Sequence, residues 1–222
     1  ATVEKATRID SLARERDGRW TLTDTDGTEY RDFDGVLVTA PAPQTADLLA
    51  ATAWDDDRRR RLHGAVDAVS YRTVRTLILH YDFRADHPFY ATLAPEYQHP
   101  VGWLSREECK PGHVPDGESL LVVQMSPGWS VEHYDEATEA VAPAVADMVA
   151  DLLDDDRRRE YDWVDTQGWR YALPNEAVES ERARVGEDAG LFVAGDWVVG
   201  EGRVHEAFWN GVETGNRIAE TM

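Results

Sequence analysis

The residues whose types and spacing could do chemistry lie near the carboxyl end. Leu191-Phe192-Val193-Ala194 is a short apolar run, stopped by Gly195 and followed by Asp196. A second glycine-bearing stretch, Gly200-Glu201-Gly202-Arg203, opens onto Val204-His205-Glu206-Ala207-Phe208. The first run reads as a buried strand, because it is apolar with β-branched and aromatic members. From Val204 onward, Ala207, Phe208, Val212, Gly215 and Ile218 recur at spacings near three and four, as on one face of a helix. A strand, a glycine turn, an acid and a helix start make a site for an anion or a cofactor. The first amides of a helix lack partners within it, and its dipole is positive at that end. An ordinary turn before a packing helix has the same pattern.

Other self-contained sites are missing from the sequence. The seven histidines show no metal-ligand spacing and the single cysteine, Cys109, offers no companion ligand, so no metal site is expected. There is no G-x-S-x-G elbow, and Gly128-Trp129-Ser130 reads as a turn rather than a nucleophile. No G-x-x-x-x-G-K-[ST] loop is present, and no G-x-G-x-x-G follows a strand. No acid–base pair stands out, so no catalytic residue is assigned.

The elements that must position the C-terminal stretch can be read in order. Val3 to Leu12, Arg19 to Thr25 and Thr28 to Phe33 form a small antiparallel meander turning at Asp26-Gly27. Gly35 to Ala40 is a strand expected to be buried on both faces, ended by Pro41-Ala42-Pro43. A helix is expected from about Gln44 to Ala51. Tyr71 to Phe83, Val101 to Ser105, Ser119 to Met125 and Asp162 to Leu173 read as strands. A long helix ends at Leu153, with Val141, Val145, Met148, Val149 and Leu152 inward and Pro143 expected to kink or divide it. Two acid-arginine runs, Asp55-Asp56-Asp57 and Asp154-Asp155-Asp156 with the arginines after them, are expected to be exposed helical ion pairs.

The 222 residues suit one large or two small domains, and no apolar run reaches the roughly 18 residues that a membrane span needs. The formal net charge of -20 argues against nucleic acid and anionic membrane surfaces as partners. Lys5 and Lys110 are the only lysines. Abundant acids with arginine in place of lysine predict a halophilic protein from a high-salt cytoplasm, and one cysteine fits a reducing, cytoplasmic setting.

Three stretches together resemble the FAD-dependent amine oxidase superfamily, and within it the renalase-like oxidoreductases. They are Asp34-Gly35-Val36-Leu37-Val38-Thr39-Ala40-Pro41-Ala42-Pro43-Gln44, then Gln167-Gly168-Trp169-Arg170-Tyr171-Ala172-Leu173-Pro174, then Leu191 to Gly211. The resemblance implies an α/β (mixed α+β) fold, in which part of a Rossmann-type FAD-binding domain, residues 1–44 and 185–222, is interrupted by an antiparallel-sheet substrate domain, residues 45–184. It also implies that this chain is the C-terminal part of a longer protein, lacking the N-terminal G-x-G-x-x-G segment, so that FAD binding by this piece alone is not assured.

The resemblance assigns roles as follows. Val3 would meet the adenine through its backbone. Ala40 and Pro41 would end a strand near the adenosine and pyrophosphate. Trp169 would be a wall beside the isoalloxazine. Gly195 and Asp196 would lie near the ribityl and phosphate part. Gly202, Arg203 and Val204 would bring backbone N–H groups to flavin N1 and the C2 carbonyl. The family often has Glu-Gly where this chain has His205-Glu206, and His205 would lie over the flavin edge or at the helix surface. The implied activity is hydride transfer to flavin N5 from a small-molecule substrate such as a dihydro isomer of NAD(P), with electrons passed to oxygen. An amine or polyamine oxidase and a non-catalytic or oligomerisation module are the alternatives.

Overall fold

The computed structural model describes residues 2–221. The protein is mixed α/β with antiparallel sheets, and it divides into two compact units, Ala1–Tyr71 with Leu173–Met222, and Arg72–Ala172. Among the described residues no helix is long and apolar enough to cross a membrane, and no cluster of His, Cys, Asp and Glu could hold a metal ion.

The first unit opens with a three-stranded meander of β1 (Ile9–Arg14), β2 (Trp20–Asp24) and β3 (Glu29–Phe33). Its second turn is local chemistry. Gly27 takes φ 81°, and the Asp24 carboxylate accepts from the amides of Asp26 (3.0 Å) and Thr28 (2.8 Å) and from the Tyr30 hydroxyl (3.1 Å). The Thr28 amide is the main cause that holds the Asp24 pKa below the ordinary carboxylate value, against a lesser opposing effect of burial. A depressed folded pKa means that the unfolded chain protonates first. The stabilisation is therefore present above about pH 4 and is lost as pH falls through the folded value. In urea titrations between about pH 6 and about pH 3 the wild type should lose more stability than Asp24→Asn, with equal slopes counting against this account.

After β4 (Val36–Val38), Pro41 leads into helix α1 (Ala42–Ala50), and Asp55 caps helix α2 (Asp56–Asp67) by accepting from the Arg58 amide at 2.9 Å. The expected surface ion pairs follow on α2, Asp56–Arg59 at 3.3 Å and Asp57–Arg60 at 2.6 Å.

The second unit is a five-stranded sheet ordered β6-β7-β8-β5-β9, from β5 (Tyr71–Tyr81), β6 (Ala91–Leu93), β7 (Val101–Arg106), β8 (Ser119–Met125) and β9 (Trp163–Pro174). Helix α3 (Pro127–Glu132) replaces the expected turn, because Ser126 caps it and Pro127 sits where a missing N–H costs nothing. Ser130 is buried within it, accepting from the Arg75 amide and donating to the Met125 carbonyl, so its hydroxyl is structural. Helix α4 (Thr138–Leu153) runs undivided across Pro143, which lies on its exposed side, where water can take the carbonyl that the proline leaves free. Its inward face, Val141, Val145 and Val149, packs with Leu77, Leu79, Leu104, Leu121 and Val123 into this unit's core.

The chain returns to the first unit through α5 (Ser180–Ala183), β10 (Leu191–Val193), α6 (Asp196–Val199) and α7 (Val204–Thr221). Strand β10 pairs in parallel with β4, Leu191 opposite Val36 and Val193 opposite Val38. The strand around Val36 is shorter than expected and is not buried on both faces, since Leu37 is 42% exposed. The unit's core gathers Leu12, Trp20, Leu49, Leu62, Leu191 and Trp197.

Candidate functional site

The corner after β10 is built by glycine and by one asparagine. Gly195 adopts φ 152°, and a side chain there would strike the Trp197 indole, whose Nε1 stands 2.8 Å from the ideal Cβ position. The Gly195 amide donates to Oδ1 of Asn210 at 2.9 Å, so a buried side chain of α7 fixes the turn. Asp196 then starts the single turn α6 and stays half-buried. Trp197 is buried and donates from Nε1 to the Ala40 carbonyl at 3.1 Å. That carbonyl also accepts from the Thr45 hydroxyl at 2.9 Å, and the Pro41 carbonyl accepts from the Thr45 amide at 2.9 Å. Ala40, Pro41, Gly195 and Asp196, widely separated in sequence, are thus brought to one place by Trp197 and Thr45.

Gly200 and Gly202 set the approach to α7. Gly200 has φ 84°, and a Cβ on it would lie 2.3 Å from the Ala177 amide nitrogen. A Cβ on Gly202 would lie 2.2 Å from Cδ2 of Leu173. The Arg203 carbonyl accepts the first helical bond, from Ala207, which leaves the amides of Val204, His205 and Glu206 as the unpaired first turn of an 18-residue helix. Val204 is 90% exposed, so the corner is open rather than filled by its own side chains. His205 is exposed too, and its Nε2 lies 3.1 Å from Glu206 Oε1, which places it at the helix surface.

Two of the expected residues belong to other elements than this corner. Val3 is exposed in the irregular segment before β1. Trp169 belongs to the second unit, where it is exposed on β9 beside Arg170, whose guanidinium lies 4.1 Å over the Tyr134 ring. A Cβ on Gly168 would come within 2.9 Å of the Tyr134 hydroxyl oxygen, so a side chain there would push that ring tip aside.

Sequence reasoning missed a cleft of about 660 Å³ in the first unit, lined by Arg8, Asp10, Leu37, Ala40, Gln44 and Asp47 among others. Its polar groups come from three separate elements, so no local spacing announces it. Asn210 and Trp197 were missed for a different reason, since both look like ordinary helix residues.

No protein-family model matches the chain. Its fold recurs in solved structures. A protein from Exiguobacterium sp. 255-15 assigned as a protoporphyrinogen oxidase has TM-score 0.74 and 18% identity, over 96% of this chain and 47% of that one. A reduced UDP-galactopyranose mutase has TM-score 0.72 and 14% identity, over 100% and 47%. A putrescine oxidase variant from a redesign of cofactor binding has TM-score 0.70 and 13% identity, over 97% and 49%. At such identities the likeness shows the fold. The chain spans about half the length of each of these structures.

Proposed function

We propose that this chain is part of a renalase-like, FAD-dependent oxidoreductase that oxidises a reduced small molecule such as a dihydro isomer of NAD(P), with oxygen as the final acceptor. The observation that supports the reading most is the open start of α7, whose first-turn amides lie beside an exposed Val204 next to a glycine-shaped turn. The residues that would hold the cofactor are Ala40, Pro41, Gly195, Asp196, Gly202, Arg203, Val204 and His205, with Val3 toward the adenine. Bound FAD supplies the hydride-accepting N5.

The chain's own part is electrostatic and positional. Amides at the start of α7, with the positive end of the helix dipole, stabilise negative charge brought near them. Asp196 accepts hydrogen bonds from sugar-alcohol hydroxyls. Trp169, exposed on β9, offers a planar surface for an aromatic ring system. Taking a hydride from a dihydronicotinamide needs little proton transfer, in keeping with a sequence that offers no evident acid–base pair.

The putrescine oxidase likeness favours amine oxidation as a second reading. Both are tested on the whole gene product purified in high salt. Added FAD should give a bound-flavin absorption spectrum, and dihydronicotinamide isomers should then bleach it anaerobically where amines do not. Bleaching by amines alone selects the second reading. A spectrum of free FAD only removes both and leaves a non-catalytic module.

A further inference from the structure

Most arginines of the second unit meet a carboxylate, as suits a protein of net charge -20. Arg106 pairs with Glu108, Arg157 with Asp155, Arg159 with Asp151, and Arg170 with Asp135. The second acid-arginine run does not lie wholly on the surface. Asp154 ends α4 in the left-handed region at φ 52°, and the turn after it carries Arg158 inward, with Nε 3.8 Å from Asp155 Oδ2. Arg75 is buried too, and donates instead to the carbonyls of His133 and Glu136. Arg72, half-buried at the start of β5, has neither kind of partner among the described residues.

Arg72 donates from Nη1 to the Tyr97 hydroxyl oxygen at 3.2 Å, in a bond that is open to solvent. Its Nε is buried without an acceptor, while Nη2 makes no bond to the protein and is reached by solvent. The Tyr97 oxygen already accepts from Arg72, and its own proton has no acceptor. The pair therefore presents N–H and O–H donors around one positive charge, with little left to accept. Neither group is a loose surface tip. The Tyr97 ring packs on Gly102, where a Cβ would lie 3.3 Å from Tyr97 Cδ1. The chain that delivers it runs through two successive left-handed residues, Glu96 and Tyr97, both at φ 53°, a conformation that non-glycine residues hold only where their surroundings impose it. The same hairpin is apolar outside: Leu93, at the end of β6, is 66% exposed and stands opposite half-buried Trp103 of β7.

We propose that Arg72 and Tyr97 bind the oxyanion, phosphate or carboxylate, of a small aromatic acid whose apolar body rests on the hairpin beside Leu93 and Trp103. Arg72 Nη2 and the Tyr97 O–H donate to two oxygens of the one group, and the guanidinium supplies the opposite charge. Because Tyr97 and Gly102 already hold these donors in place, the ligand meets a site that needs little ordering. The proposal does not rest on the flavin reading, and none of its measurements needs flavin.

The test measures Kd by ligand-observed NMR for phenyl phosphate, benzoate, benzyl alcohol and benzylamine, on the whole gene product at matched ionic strength. A strongly acidic protein attracts benzylamine and repels both acids, so the non-specific background runs against the proposal. At least one acid should bind more tightly than the alcohol and the amine. Tighter phenyl phosphate assigns a phosphoryl ligand, and tighter benzoate a carboxylate. Arg72→Gln should weaken that acid about tenfold and Tyr97→Phe about threefold. Arg84→Gln, the same charge change at an exposed arginine of this unit, should leave it unaltered. Absence of acid binding, an alcohol or amine that binds as tightly, or an acid preference that survives Arg72→Gln overturns the site. So does equal weakening in Arg84→Gln. If Arg72→Gln does not fold, Tyr97→Phe and a crystal grown with the tighter acid decide. Weaker binding in that variant, with the oxyanion within hydrogen-bonding reach of Arg72 Nη2, supports the site. Unchanged binding, or an oxyanion seated elsewhere, overturns it.

Discussion

Arg106→Met should lower the unfolding free energy by about 3–5 kcal/mol, measured as a reduced urea midpoint at neutral pH. Arg106 is buried, as is Glu108, and their side chains are only 3% and 1% exposed. Removing the guanidinium leaves the Glu108 carboxylate as an uncompensated interior charge, which is the costly way to break such a pair. It also strips donors from three carbonyls, at 2.7 Å for Ala85, 2.7 Å for His87 and 2.8 Å for Phe89. Those carbonyls hold the loop between β5 and β6 against β7, so the loss should spread there. Arg106→Lys should recover little, because a point charge on a flexible stem cannot reproduce a fork serving four oxygens. The double change Arg106→Met with Glu108→Leu should recover a good part of the loss, since both members of a buried pair are then apolar. A double variant no more stable than the single would show that the carbonyls, not the carboxylate, carry the cost.

The second large effect is expected at Gly200, where alanine should destabilise by about 2–4 kcal/mol. The φ of 84° there is strained for any L side chain, and the obstacles are backbone atoms, with Ala177 N at 2.3 Å, Ala177 Cα at 2.7 Å and the Glu176 carbonyl carbon at 2.8 Å. Backbone cannot swing aside as a side-chain tip can. Gly202→Ala, where the nearest atom is the Leu173 Cδ2 methyl, should cost less because leucine can change rotamer. If the flavin reading holds, Gly200→Ala should also weaken FAD uptake more than an equally destabilising core change such as Leu79→Ala. Equal FAD affinities in those two variants would separate the turn from the cofactor.

Features set by near neighbours were legible in the sequence. Asp26-Gly27 marks its hairpin because the turn is closed by residues within four positions. The inward face of α4 was legible at Val141, Val145 and Val149, which repeat at helical spacing over a helix long enough to show the period, whereas Leu152, also expected inward, is 41% exposed near the helix end. Gly128-Trp129-Ser130 reads as a turn from the sequence yet lies in α3, and the Ser126-Pro127 just before it is itself a helix-start signal. Where tertiary surroundings decide, the pattern fell short. In α7, the residues at helical spacing include Val204, Phe208 and Val212, all exposed, while the buried positions are Asn210 and Thr214. Periodicity identifies a face without saying which face the neighbours cover. The run after Asp154 looks like the run after Trp54, yet one left-handed residue turns Arg158 into the interior. For the candidate site, the glycines and the helix start were visible, while Trp197 and Asn210, which gather them, are known only from the fold.

The bond from Gly195 to Asn210 ties the turn to the helix as a single latch. Lifting α7 would strand a peptide N–H at one end and a carboxamide oxygen at the other, each at about 1–3 kcal/mol if left dry. Neither partner can loosen while the other stays put, so the two fluctuate as one cooperative piece. The aim of the helix's leading amides is therefore inherited from the turn, and a disturbance to either is felt as a change of pitch in both.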